Sequence, residues 1–191
     1  LEFLRELSIE CHKNNLVVSV DNPVPEDFTS HYDRKEQGLV VDYVIIMGYD
    51  EHYVGSDAGS VASLPWVEQG VQDTIAEVTP ERTILAIPFY TRLWKTTGGA
   101  VTSEAIGMDE AQNVLSTNGV EVAWDGSVGQ NYATFEQDNS TYQIWLEDAQ
   151  SIAEKVKLIQ KYNLAGVAQW KLGFENSSIW QTISDNLQAA S

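Results

Sequence analysis

The chain has 191 residues, 43% of them hydrophobic, with 11 Lys and Arg against 28 Asp and Glu and a formal net charge of -17 at pH 7. That content can fill a core, no apolar stretch reaches the roughly 18 residues of a membrane span, and sparse Lys and Arg argue against nucleic-acid or anionic-membrane partners. Cys11, the single cysteine, excludes an internal disulfide and reads as a small buried hydrophobe.

Leu1 opens on an amphipathic helix with Phe3, Leu4, Leu7 and Cys11 at helical spacing. Strands are predicted at residues 16–21 and 40–49. The second lies in Val41-Asp-Tyr-Val-Ile-Ile-Met-Gly-Tyr-Asp-Glu-His-Tyr53, an apolar run without polar alternation. Such a run suits a strand buried on both faces, as in a parallel sheet covered by helices. Ser63 then caps a helix with Pro65 in its first turn and Val67, Val71, Ile75 and Val78 at helical spacing until Pro80. A third strand is predicted at 83–90.

Between Lys95 and Glu147 the alternation of strand and helix breaks. Thr96 to Val101 reads as a Gly-containing loop, Met108 to Ser116 as a short helix stopped near Gly119, and Val120 to Trp124, Asn131 to Glu136 and Thr141 to Leu146 as short strands joined by Gly and Asp-Asn turns. Asp148 or Ser151 starts the next helix, with Ile152, Val156 and Ile159 inward and Lys155, Lys157 and Lys161 outward. A strand at 164–170 and a helix from Ser177 or Ser178, carrying Ile179, Ile183 and Leu187, complete a parallel α/β pattern.

Ligands gather where the strands of such sheets end. The strand at 40–49 delivers Tyr49 and Asp50 to that point, and Thr83 to Trp94 and Leu164 to Glu175 have the same construction. Tyr90, Arg92, Trp94, Trp170 and Glu175 are therefore expected on one rim with Tyr49 and Asp50. Aromatic faces beside a hydroxyl, a carboxylate and a guanidinium suit a sugar. Plain structural roles compete: Tyr49 or Trp170 as core, Asp50 as a turn residue, Arg92 in an ion pair, Asp148 as a helix cap, and Met47 as interior packing with little substrate contact. His12, His31 and His52 are dispersed without metal-ligand spacing.

The order Met-Gly-Tyr-Asp, Ile-Pro-Phe-Tyr-Thr-Arg-Leu-Trp, Ile144-Trp-Leu-Glu-Asp-Ala-Gln-Ser151 and Leu-Ala-Gly-Val-Ala-Gln-Trp resembles the C-terminal half of glycoside hydrolase family 18, from about Leu1 to about Leu187. That family contains chitinases, endo-N-acetylglucosaminidases and bacterial spore-cortex or cell-wall N-acetylglucosaminidases. Glu51 to Val67, with Gly55, Gly59 and Leu64-Pro65-Trp66, looks most like the bacterial cell-wall branch.

The resemblance implies an α/β fold: the C-terminal half, about four β/α units, of a TIM (β/α)8 barrel with a small α+β insertion before the last unit. The units would be residues 1–94, the insertion 95–147, and the last helix, strand and helix 148–191. It implies cleavage of β-1,4-linked N-acetylglucosamine polymers, chitin or peptidoglycan, outside a bacterial cell, in the wall or spore envelope, with no metal or organic cofactor. Tyr49 and Asp50 would be catalytic, and Trp170, Arg92, Tyr90 and Met47 substrate-binding; Trp124 and Tyr132 would wall the cleft. The family's acid-bearing signature, Asp-x-x-Asp-x-Asp-x-Glu, does not occur in these residues. It is expected just before Leu1, on an absent N-terminal half, which makes the chain a fragment that is inactive alone. A lectin-like protein on the same fold is the alternative. Unpaired edges of a half barrel imply a homodimer or association with the missing half.

Overall fold

The computed structural model describes residues 1–188. The first helix, α1 (Glu2–Lys13), leads through a turn into β1 (Ser19–Pro23), α2 (Arg34–Val40), β2 (Tyr43–Met47), α3 (Leu64–Ile75) and β3 (Thr83–Pro88). There follow β4 (Tyr90–Thr97), β5 (Ala100–Gly107), α4 (Met108–Asn118), β6 (Ala123–Asp125), β7 (Gln130–Gln137) and β8 (Ser140–Trp145). The last elements are α5 (Ala149–Lys161), β9 (Gly166–Trp170) and α6 (Ile179–Gln188).

Two sheets result. One is parallel, in the order β1-β2-β3-β9, and carries the strands expected at 16–21, 40–49, 83–90 and 164–170 with shifted ends. The other is antiparallel, β5-β4-β8-β7-β6, and lies between β3 and α5 in the chain. Val67, Val71, Ile152, Val156, Ile179 and Ile183 from α3, α5 and α6 cover one face of the parallel sheet, against Ile46, Leu85 and Ile87. α4 covers the antiparallel sheet, packing Ala111 and Leu115 on Ile106, Ala133 and Ile144.

β2 is not buried on both faces. Val44 and Ile46 are sealed under helices, whereas Tyr43, Ile45 and Met47 alternate with them and stay partly exposed. An unbroken apolar run cannot reveal this, because it records what a face can tolerate and not whether helices of this chain reach it. The stripe expected on α1 differs as well: Ser8 is its buried residue, Leu4 and Cys11 are half-covered, and Phe3 is 72% exposed.

The loop expected at Thr96 to Val101 is instead the tip of a hairpin. Gly98 and Gly99 both have positive φ, 56° and 87°, which suits the tight turn that brings Thr97 opposite Ala100. Asp138 and Asn139 do the same between β7 and β8, with φ 49° and 57°. The third apolar run also divides: β3 stops at Pro88, and β4 starts at Tyr90 in the other sheet.

Ser63 stands at the start of α3, but its hydroxyl bonds Glu51 and does not cap the helix. Leu187 is 38% exposed, not inward. Lys155 departs furthest from expectation. It was expected to face outward, yet its side chain is fully buried and its Nζ lies 2.9 Å and 3.0 Å from the two oxygens of Glu147. Gln130 and Ser151 donate to the same carboxylate, at 2.8 Å and 2.9 Å. Burial pushes the Glu147 carboxyl up to about 7, against the pull of Lys155.

Replacing Lys155 by Met strands a buried carboxylate without its counter-charge. Urea unfolding should show a loss of about 3–5 kcal/mol. Lys157→Met, on the exposed side of α5, should stay within about 0.5 kcal/mol.

Candidate active site

Just beyond β2 the chain stays tight against β3. Gly48 N donates to Ala86 O at 2.9 Å, and a Cβ on Gly48 would meet that oxygen at 2.9 Å. Tyr49 and Asp50 follow at the carboxyl edge of the sheet. Asp50 has φ 70°, a left-handed conformation that Asp tolerates better than most side chains. Strain of this kind persists where neighbours hold it, and here the Tyr90 hydroxyl donates to Asp50 Oδ1 at 2.5 Å.

The Tyr49 and Tyr90 rings meet edge to face, 6.1 Å between centroids. The two hydroxyls are unlike. Tyr90 spends its proton on Asp50, while the Tyr49 hydroxyl has no hydrogen-bond partner among the described residues. Burial, with Asp21 and Asp50 nearby, pushes the Tyr49 phenol up to about 12, so it remains a donor at any ordinary pH. Burial and the bond to Asp50 shift Tyr90 upward too.

Trp170 ends β9, 53% exposed, and the peptide bond that follows it is cis. It is the shared wall of two cavities. One, about 90 Å3, contains Tyr49, Met47, Asp21 and Gln169. The other, about 190 Å3, contains Asp50, Tyr90, Arg92 and Phe174. Arg92 Nη1 donates to Ser103 at 2.9 Å, and its buried Nε is without a partner. A third cavity, about 200 Å3, opens beside Met47, Tyr49 and Asp50 toward Phe28, Tyr53 and Trp66.

All six residues expected at the site, Tyr49, Asp50, Tyr90, Arg92, Trp170 and Met47, therefore line adjoining cavities. Tyr90 and Arg92 arrive from the antiparallel sheet and not from the end of a parallel strand. Trp94 does not reach the rim: it is 1% exposed and donates its Nε1 to Gly59 O at 2.9 Å, because β4 runs back beneath the loop after Asp50. Glu175 accepts from the backbone of Gly173 at 2.6 Å, closing its own turn. Asp148 caps α5, accepting from Gln150 and Ser151. Trp124 lies on β6, and the Tyr132 hydroxyl accepts from Gln143.

Asp21, Gln169 and Phe174 line the cavities without having been singled out. Gln169 left a signal, a polar residue inside an apolar strand; Asp21 closes the Val17 to Val20 run in the same manner. Phe174 left none, since only the turn after β9 brings it near Tyr90. Among the described residues no group of three or more His, Cys, Asp or Glu could hold a metal ion.

The parallel α/β sheet thus gathers aromatic and acidic side chains at its carboxyl edge, where such sheets bind ligands. The chain belongs to Glycosyl hydrolases family 18, whose profile matches residues 1–175. Its relatives include a cortical fragment-lytic enzyme of Bacillus subtilis, 25% identical over 193 residues, covering 96% of this chain and 45% of the relative. An uncharacterized glycosylase, YvbX, of the same organism is 26% identical over 188 residues, covering 95% and 54%. The crystal structure of a chitinase from Chromobacterium violaceum superposes with a TM-score of 0.90 at 25% identity, covering 98% of this chain and 60% of that one. The chain thus spans about half the length of the curated relatives it matches.

The Tyr49 shift sets an alkaline limit. The folded phenol holds its proton more tightly than the unfolded one, so the contribution to stability is complete below pH about 10 and disappears as pH rises toward about 12. Tyr90 acts in the same direction. Urea midpoints measured from pH 9 to 12 should fall for the wild type and fall less for Tyr49→Phe; parallel curves would contradict the burial described.

Proposed function

We propose that this chain is the C-terminal half of a (β/α)8 barrel glycosidase that cleaves β-1,4-linked N-acetylglucosamine polymers, chitin or peptidoglycan. The observation that carries this reading is the free phenol of Tyr49, half-buried beside Asp50 in a cleft walled by Trp170. The barrel units would be residues 1–94 and 148–191, the intervening residues 95–147 forming the insertion. Relatives about twice as long support the presence of further barrel strands on a preceding segment. That segment, or a second copy of this chain, would pair the free edges of β1 and β9.

The family uses the substrate's own acetamido group as nucleophile. The acetamido carbonyl oxygen attacks the anomeric carbon as the glycosidic bond breaks, and a general acid protonates the leaving oxygen. The acid would be a Glu on the preceding segment. Tyr49 would donate to the acetamido oxygen as it gains nucleophilic charge and then to the oxazolinium intermediate, which water opens with retention. Asp50 would accept from the acetamido N–H or a nearby hydroxyl, held in place by Tyr90. Trp170 would form the floor beneath the reacting sugar, and Arg92 would bind hydroxyls through its free N–H groups. Met47 would pack beneath the cleft with little contact. The relatives' cortex-lytic activity supports a bacterial wall or spore envelope as the setting.

A second reading is sugar binding without hydrolysis on the same fold. Kinetics separate the two. The 191-residue chain alone should not measurably hydrolyse chitooligosaccharides, since proton donation alone contributes about 10²–10⁴-fold. In the protein completed by its preceding segment, Tyr49→Phe should lower kcat more than it weakens ground-state binding. Unchanged kcat on an N-acetylated substrate would sink the substrate-assisted assignment, and a completed protein that binds but never turns over would establish the second reading.

A further inference from the structure

We propose that Asp21 is the specificity-determining residue for the N-acyl group of the reacting sugar, and that the group preferred there ends in a hydroxyl, as N-glycolyl does and N-acetyl does not. This deepens the glycosidase reading above and rests on it.

Strand geometry sets the Asp21 carboxylate inside the cleft. Successive side chains of a strand point to opposite faces, and the next residue of β1, Asn22, is 1% exposed beneath α2, where its Nδ2 donates to Gln37 Oε1 at 2.5 Å. Asp21 therefore stands on the open face. It pairs in register with Ile45, and the same face continues through Met47, Ala86 and Ala168.

These residues line the cavity of about 90 Å3 that holds Tyr49 and Trp170. Its floor is apolar except at Asp21. No Lys or Arg lines it among the described residues, and the Asp21 carboxylate has neither a hydrogen bond nor an ion pair there. Asp21 and the Tyr49 hydroxyl face a common space: the charge of Asp21 acts on that phenol more strongly than the charge of Asp50, the very next residue.

The two groups make opposite demands on what enters. Tyr49 offers a proton and the Asp21 carboxylate only lone pairs. An acetamido group satisfies Tyr49 with its carbonyl oxygen, while its N–H goes to Asp50. Its methyl end then displaces water from Asp21 and returns no hydrogen bond, which is costly. A hydroxyacetamido group keeps the carbonyl for Tyr49 and adds a hydroxyl that donates to Asp21. An ammonium, as on a de-N-acetylated sugar, would suit Asp21 but confront Tyr49 with a second donor and supply no carbonyl to attack. A charge-assisted hydrogen bond gained, against a carboxylate left unpaired, separates the two acyl groups by about ten- to a hundredfold.

The test uses the protein completed by its preceding segment and three probes, the 4-nitrophenyl glycosides of chitobiose with N-acetyl, N-glycolyl or free amino groups. Calorimetry gives each Kd, and released nitrophenol gives kcat/KM for the two acylated probes. The N-glycolyl probe should be favoured about ten- to a hundredfold in both measurements, and Asp21→Ala should bring the ratio below about twofold. Asp21→Asn, which keeps an acceptor without the charge, should fall between. Because both acylated probes are read on the same variant, a general loss of stability leaves the ratio unmoved. A wild type that binds both acylated probes without preferring N-glycolyl overturns the role of Asp21 and leaves the glycosidase reading standing, as does a preference that survives Asp21→Ala. Tightest binding of the amino probe would make Asp21 an ammonium site and overturn the assignment. If no probe binds, the glycan reading itself fails and this inference with it.

Discussion

The buried ion pair of Glu147 and Lys155 is the joint on which the rest of the molecule hangs. Both side chains are removed from water, at 1% and 0% exposure, and charges so placed are tolerated when they are paired and hydrogen-bonded. Gln130 from β7 and Ser151 from α5 supply further donors to the carboxylate. Gln130 Oε1 in turn accepts from Ser60, in the loop that follows Asp50. One polar cluster therefore ties together the antiparallel sheet, the helix beneath the parallel sheet and the loop leading away from the site. A purely apolar contact could slide by a residue; a carboxylate with named donors cannot without leaving one unsatisfied.

From that joint the geometry of the cleft follows. The antiparallel sheet is held against the loop after Asp50, where Trp94 fills the space and bonds Gly59. This places Tyr90 so that its hydroxyl reaches Asp50. Asp50 can then keep its left-handed backbone conformation, its carboxylate held by the Tyr90 hydroxyl. Tyr49, one residue earlier, is left with its ring supported by Tyr90 and its hydroxyl unclaimed. Two tyrosines 6.1 Å apart thus differ in kind, one bonded to Asp50 and the other with its hydroxyl unpartnered among the described residues.

The parts read correctly from the sequence share a physical property: they are local. Tyr49, Asp50 and Trp170 stand at strand ends as expected, because an apolar run ending in aromatic and acidic residues marks such an end. The helix after Ser63 was found from its Pro and its spaced valines, and α5 from the Asp148 cap. The misreadings concern side chains whose surroundings are set by the docking of elements and not by spacing along one element. Lys155 has the spacing of an outward residue and was expected in solvent with Lys157 and Lys161; only the arrival of Glu147 beneath it makes burial tolerable. Trp94 has the composition of a rim residue, yet β4 changes sheets at Phe89 and turns its indole under a loop.

The amino-acid order by itself determined the alternation of strand and helix, the family, and the pair of residues at the tip of β2, because each depends on periodicity and on what a strand end exposes. Tertiary structure alone decided that Tyr90 serves Asp50, that Lys155 is a core residue, that helices seal one face of β2 and leave the other open, and that Asp21 shares a cavity with Tyr49. Each of these depends on how helices, sheets and loops dock, which periodicity along the chain does not report; even Glu147 and Lys155, close in sequence, meet only because α5 folds back over the segment that precedes it.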